Sequence, residues 1–239
     1  MNIAGSVALV TGANRGLGAR IVAELLRRDV GKVYATARTP GALPGTTSGD
    51  RRVHALSLDV TDQASLDAAA KAASDVTLLI NNAGVLGFGG VLDGDLELFD
   101  RDLRTNYLGT LRTTRTFVPV LKGNGGGAIV NVLTLIALAP VAAMAGYSAS
   151  KAAAHSMTQA LRAELRGTGI DVIGAYPGGI DTDMLAGVEA DKAAPEVVAA
   201  RIIDAVANGV NIVWPDDASA GAGSVYLTDP VRLEQMLAG

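Results

Sequence analysis

Short apolar runs alternate along the chain with longer stretches in which apolar residues recur at helical spacing. Residues 6–11, 32–37, 53–58, 76–81, 128–133, 170–176 and 211–214 read as strands, and residues 16–28, 63–73, 96–121, 147–166 and 195–208 as helices. The strand runs are continuously apolar rather than alternating, so they are expected to be buried on both faces. Strand–helix repetition with doubly buried strands predicts an α/β domain. Its expected core is a doubly wound parallel sheet of about seven strands with helices on both faces. One domain is the simplest organisation, and no internal repeat is found beyond the alternation itself. Residues 39–49, rich in Gly, Pro and Thr, are expected to form a loop where a crossover helix would otherwise sit. Residues 123–127 are a Gly-rich turn. Residues 216–223 are small and expected to be flexible, leading to a last short segment at 225–237.

Composition narrows the class. Of 239 residues, 49% are hydrophobic and 18% charged, enough to bury a large core and too apolar for a disordered chain. The net charge of -4 argues against nucleic acid or an anionic membrane as partner. With no cysteine, disulfides and thiolate chemistry are excluded. No run is apolar enough over enough residues to span a bilayer, and residues 1–10 lack a basic segment followed by an apolar one. The cytoplasm is the expected location.

The first strand runs into Thr11-Gly12-Ala13-Asn14-Arg15-Gly16-Leu17-Gly18. Glycines let a backbone turn tightly and approach a pyrophosphate, while the following helix offers free N–H groups and the positive end of its dipole. The glycine spacing is wider than G-x-G-x-x-G, and a plain strand–turn–helix has the same appearance. The end of the second strand adds information. A site for NAD usually carries a carboxylate there to hold the ribose 2′-hydroxyl; this chain has Ala37 and Arg38, and a second arginine, Arg15, inside the loop. Two guanidinium groups without a carboxylate suit the 2′-phosphate of NADP; the alternative is a pair of solvated surface charges.

Tyr147 and Lys151 are four apart and share one face of a helix. An ammonium beside a phenol favours the phenolate and is expected to draw its pKa down from about 10. Such a tyrosine passes a proton to a carbonyl oxygen while hydride reaches the carbon. Taken alone, such a pair is common and is more often a surface contact.

The full set decides between these readings. The glycine loop, Asn81-Asn82-Ala83-Gly84, Asn106, Tyr147 to Lys151 and Pro177-Gly178 follow one another in an order and at spacings that resemble the classical short-chain dehydrogenase/reductase family, over residues 6–215. The resemblance implies a single Rossmann domain and an NADP-dependent carbonyl reductase or alcohol dehydrogenase. It also implies a role for each matching position. Asp59 would contact the adenine. Asn82, Ala83 and Gly84 would line the cofactor and brace the sheet. Asn106 would hold a water in a proton relay to Lys151. Tyr147 would be the acid in reduction and the base in oxidation. Lys151 would lower the tyrosine pKa and bond the nicotinamide ribose, and Pro177, Gly178, Ile180 and Thr182 would hold the carboxamide end. Residues 182–195 would form a flap over a small carbonyl or alcohol substrate. The helices at 96–121 and 147–166, apolar on more than one face, would build a homodimer or homotetramer.

One position departs from the family pattern. A serine usually stands thirteen residues before the tyrosine; here it is Thr134. Its hydroxyl is still able to bond a substrate oxygen, but the β-branch restricts its rotamers and adds a methyl group. Two other functions remain open on these residues: an NADP-binding sensor without chemistry, given some standing by Thr134 but disfavoured by the intact Tyr147–Lys151 pair and Asn106, and a cofactor-free haloalcohol dehalogenase-type enzyme, disfavoured by the complete glycine loop. His155, about 80° around the helix from Tyr147, is expected to make a helix–helix contact, and His54 to be a strand or surface residue. Asp181 and Asp183 lack the further ligands of a metal site, and Arg51-Arg52 is expected to be a solvated turn.

Overall fold

The computed structural model describes residues 1–39 and 49–238. Seven parallel strands form one sheet in the order β3-β2-β1-β4-β5-β6-β7: β1 (Val7–Val10), β2 (Lys32–Ala37), β3 (Val53–Ser57), β4 (Leu78–Asn81), β5 (Gly127–Val132), β6 (Ile170–Ala175) and β7 (Ile212–Val213). The side chains of each strand alternate between two apolar layers. Ala8 and Val10 face Ile21 and Leu25 of α1 (Gly16–Arg27) and Ile202 and Ile203 of α6 (Pro195–Asn208). Leu9, Leu79 and Ile129 face Leu66 of α2 (Gln63–Ala72) and Phe117 and Leu121 of α4 (Thr110–Gly123). Over the inner strands both layers exclude water, which is why those runs carry no polar alternation; the edge strands β3 and β7 depart from the expected double burial and are partly exposed.

Because β1 pairs with both β2 and β4, the winding reverses beside it, and the connections leaving β1 and β4 diverge to opposite faces of the sheet, to α1 and α4. That divergence opens a crevice at the place where doubly wound sheets hold ligands.

The expected helix over 96–121 is present but not uniform. It is α3 (Leu96–Asp102), a π-helical turn (Leu103–Gly109) and then α4. The widened turn coincides with a close approach and a buried bond. A Cβ on Gly109 would stand 2.8 Å from Val60, and the Thr110 hydroxyl donates back to the Asn106 carbonyl at 2.8 Å. π-Turns inside helices commonly mark functional positions. The next helix, α5 (Ala145–Glu164), begins two residues before Tyr147.

Two expectations are corrected. Residues 216–223 are not a flexible segment: they begin α7 (Asp217–Thr228), whose N-cap Asp216 and Ser219 form a reciprocal capping box, and α8 (Pro230–Ala238) follows. Arg52 is not simply solvated. It chelates Asp50 and donates to the Leu26 carbonyl at 3.1 Å, fixing the entry to β3. The loop expected at 39–49 lies almost wholly outside the described residues. Among those described, no helix is long and apolar enough to cross a membrane.

Candidate functional site

A cleft of about 1360 Å³ runs across the C-terminal ends of the strands. Its floor at one end is the loop between β1 and α1. Gly12 and Gly16 take positive φ, 65° and 52°. Gly18 has no room for a side chain: a Cβ there would lie 2.2 Å from the Gly12 carbonyl and 2.6 Å from the Asn82 amide nitrogen. The Asn82 amide in turn donates to the carbonyls of Thr11 and Gly12 at 3.0 and 3.1 Å, and the Thr11 hydroxyl accepts from the N–H groups of Asn82 and Ala83. The loops after β1 and β4 are thus locked to one another. Arg15, the N-cap of α1, makes no side-chain capping bond, and the first turn carries no acidic residue. The helix presents uncapped N–H groups and a positive dipole to the cleft, an arrangement suited to a phosphate.

Asn14, Leu17, Arg38, Asp59 and Gly84 also line this cleft. Arg15 is loosely paired with Asp183 at 3.5 Å. Burial pushes the Asp59 carboxyl up, but the Thr61 N–H and hydroxyl that it accepts, together with the Arg38 charge, outweigh this and hold it below the usual carboxylate range.

At the middle of the cleft stand Tyr147 and Lys151, both buried, with the ammonium 5.8 Å from the phenol ring centre. Lys151 donates to the Val132 carbonyl at 2.8 Å. Burial pushes the Tyr147 phenol well above its ordinary value, and the Asp102 carboxylate adds to that rise. Burial lowers Lys151 to about 8, against the opposing pull of Asp102. The expected downward shift of the tyrosine is therefore not met in this arrangement, because desolvation dominates and the lysine proton is directed to the Val132 carbonyl.

Asn106 does not reach the cleft wall. It lies behind Gly84, and all three polar positions of its amide are used: it donates to the Val85 carbonyl and the Ser150 hydroxyl and accepts from the Val85 N–H, each at 2.9 Å. Gly84 separates it from the lysine: a Cβ on Gly84 would be 3.1 Å from Asn106 Oδ1 and 3.7 Å from Lys151 Nζ. Thr134 lines the cleft, and its hydroxyl donates to the Pro177 carbonyl at 3.3 Å.

Pro177, Gly178, Ile180 and Thr182 follow β6 along the opposite wall. The Gly178 N–H donates to Asp216 Oδ2 at 2.9 Å. Asp216 was not a site candidate in the sequence, although Asp216-x-x-Ser219 is a legible helix start; what hid it was the expectation of a flexible segment. Beyond Ile180 the chain leaves the wall and returns at Ala193, where the Asp181 N–H bonds the Ala193 carbonyl at 3.0 Å and the Ala193 N–H bonds that of Gly179 at 2.8 Å. Between these points Thr182, Asp183, Met184, Leu185, Val188, Ala190 and Asp191 border the cleft. Ala218 of α7 and Leu237 of α8 close its far edge, which the sequence reading did not anticipate.

The remaining polar side chains have structural partners. His155 Nδ1 meets the Tyr176 hydroxyl at 2.7 Å, so its contact is with the end of β6 rather than with another helix. His54 lies on β3 with its ring 5.7 Å from that of Tyr34.

Comparison with known proteins agrees with this fold. The family model described as short chain dehydrogenase matches residues 6–193. A short chain dehydrogenase from Burkholderia cenocepacia, solved in complex with NADP, superposes with a TM-score of 0.94 at 39% identity over 100% of both chains. A 3-alpha-(or 20-beta)-hydroxysteroid dehydrogenase of Mycobacterium tuberculosis is 32% identical over 94% of this chain and 88% of that one. A ketoacyl reductase of Nostoc sp. is 32% identical over 86% of this chain and 77% of that one.

Proposed function

Because the chain belongs to the classical short-chain dehydrogenase/reductase family, and is thereby an oxidoreductase, we propose that it interconverts a small ketone or aldehyde and its alcohol with NADP(H). The observation that carries this reading is the placement of Tyr147 and Lys151 in the same cleft as the glycine loop and the uncapped end of α1. A nicotinamide dinucleotide supplies or accepts the hydride. The residues fit such a group: the crowded backbone at Gly18 and the free N–H groups of α1 suit a diphosphate, and Arg15 and Arg38, with no carboxylate ending β2, suit a 2′-phosphate. The NADP bound by the Burkholderia cenocepacia protein supports the same choice.

In the reduction direction, Tyr147 Oη donates its proton to the carbonyl oxygen, and Thr134 bonds that oxygen by turning its hydroxyl from the Pro177 carbonyl. The Lys151 charge stabilises the phenolate left behind. Asn106 orders the segment behind Lys151. Residues 182–195 act as a flap that excludes water, and the apolar side chains Met184, Leu185, Val188 and Leu237 favour an apolar ligand beside the reacting carbonyl. That two relatives are a hydroxysteroid dehydrogenase and a ketoacyl reductase supports the interconversion of a ketone and an alcohol. We also propose a homodimer or homotetramer, since Phe88, Val91, Leu92 and Leu96 stand exposed around the start of α3.

The test is the loss of reduced-nicotinamide absorbance with a panel of aryl, cyclic and aliphatic ketones, using NADPH and NADH in parallel. NADPH-dependent reduction of at least one ketone, abolished in Tyr147→Phe, is expected. NADPH binding without turnover across the panel would replace this reading with a sensor, and halide release from haloalcohols without nucleotide would replace it with a dehalogenase.

A further inference from the structure

Asp102 ends α3 and is fully buried, 0% exposed. A carboxylate without access to water is costly unless its oxygens are occupied. One oxygen, Oδ2, accepts the Gly87 N–H at 2.9 Å; the other, Oδ1, accepts from Arg101 at 3.0 Å. Gly87 is held close: a Cβ on it would stand 3.1 Å from Asp102 Oδ2 and 3.0 Å from Leu98. The loop after β4, which carries Asn82, Ala83 and Gly84, is therefore fastened to α3 at its far end.

α3 also packs against the start of α5. A Cβ on Gly146 would lie 2.8 Å from the Phe99 ring, one residue before Tyr147. Asn106, one turn after Asp102, donates to the Ser150 hydroxyl beside Lys151, so the buried carboxylate and the buried pair share one packed interface between the α3 segment and α5. Asp102 is bonded to Arg101 on its own helix and to the Gly87 N–H of the loop after β4, and the ionisable groups its charge acts on are Tyr147 and Lys151 of α5.

We propose that Asp102 is a positioning residue for the Tyr147–Lys151 pair: a buried carboxylate that anchors the loop after β4 at Gly87 and lies in the same packed interface as the pair. A carboxylate favours the ammonium over the amine and the phenol over the phenolate, so it acts on the two groups in the same direction. Asp102 opposes the fall of the Lys151 pKa caused by burial and adds to the rise of Tyr147. The consequence for turnover rests on the hydride-transfer reading above; the charge effect itself does not.

Asp102→Asn separates the two roles, since an amide oxygen still accepts the Gly87 N–H but carries no charge. The direct measurement is the ¹³Cε resonance of Lys151 in lysine-labelled protein, titrated with pH and assigned by Lys151→Arg. In Asp102→Asn the midpoint is expected to move down by about 0.5 pH or more. The limb of the kcat/KM–pH profile set by the pair is expected to move acidward in both reaction directions. Arg101→Met removes the competing cation instead and should move the Lys151 midpoint up. A Lys151 midpoint unmoved in folded Asp102→Asn overturns the proposal and leaves Asp102 only its bond to Gly87. Should that variant not fold, an unmoved midpoint in Arg101→Met overturns it equally. A shifted midpoint in protein that reduces no ketone upholds Asp102 and removes the proposed function.

Discussion

Tyr147 is asked to give up a proton from a buried position, and its removal separates chemistry from binding. Tyr147→Phe should lower turnover by about 10²–10⁴-fold while NADPH affinity, read by fluorescence titration, stays within a few fold. Thr134 tests the second hydroxyl. Its proton rests on the Pro177 carbonyl at 3.3 Å, a long bond, so turning toward a substrate oxygen costs little. Thr134→Ala should lower kcat/KM by about 10²–10³-fold, and Thr134→Ser should retain activity and gain on bulky ketones, where the methyl crowds the carbonyl. Activity in the alanine variant equal to the parent would reduce Thr134 to packing. Arg38→Ala should weaken NADPH and leave NADH unchanged, by about 1.5–3 kcal/mol for one charge-assisted bond, checked by the KM for each cofactor. The crowded turn at Gly18 was legible in the glycine loop itself, whereas Asn82 and the tyrosine–lysine pair are singled out by the order of the whole motif set and its family resemblance. Asp102 was not, because its role depends on being buried, and nothing in its neighbours along the chain announces that. Nor was the direction of the Tyr147 shift, which desolvation decides.

At the scale of elements, the fixed points are helix starts. Asp216 caps α7 and holds the Gly178 N–H with the same carboxylate. Asp216→Ala should cost about 1 kcal/mol for the cap and more for the half-buried Gly178 N–H left unpaired. Thermal unfolding is expected to show a lower midpoint, and the KM for cofactor should rise as the loop after β6 loosens. An unchanged KM with a lowered midpoint would confine Asp216 to the helix. Each strand was placed by its run, but only the inner ones are doubly buried: β3 and β7, at the edges of the sheet, are partly exposed. The π-helical turn at Leu103–Gly109 was beyond periodicity: it comes from Gly109 meeting Val60 and from the bonds of Asn106 to Val85 and Ser150, contacts between segments far apart in the chain.

For the whole molecule, burial of Lys151 links stability to pH. Its pKa is about 8 in the folded chain and 10.5 when exposed. Between those values the unfolded chain binds more protons, so stability rises with pH there, and the full cost of burying the charge is present below about pH 8. That cost is on the order of 3 kcal/mol. The Tyr147 phenol, held above its ordinary value, pulls the other way only above about pH 10. Lys151→Met should raise the unfolding free energy at neutral pH and flatten its dependence between pH 8 and 10, as measured in urea; a dependence equal to the parent's would assign it to other groups. Size-exclusion chromatography is expected to show a dimer or tetramer at micromolar concentration, and a stable, active monomer would contradict that assembly.

The two hydrogen bonds that join Gly179 and Asp181 to Ala193 have a consequence for how such a chain diversifies. They make the stretch between them an interchangeable cassette, tied at its stem and free of obligations to the sheet. Lengthening a loop whose ends are already held adds little entropy cost, about 0.6 kcal/mol per doubling. New sequence inserted there should therefore alter which ligands enter while the unfolding midpoint stays nearly fixed. Selection is then able to explore substrates at this one place without renegotiating the fold.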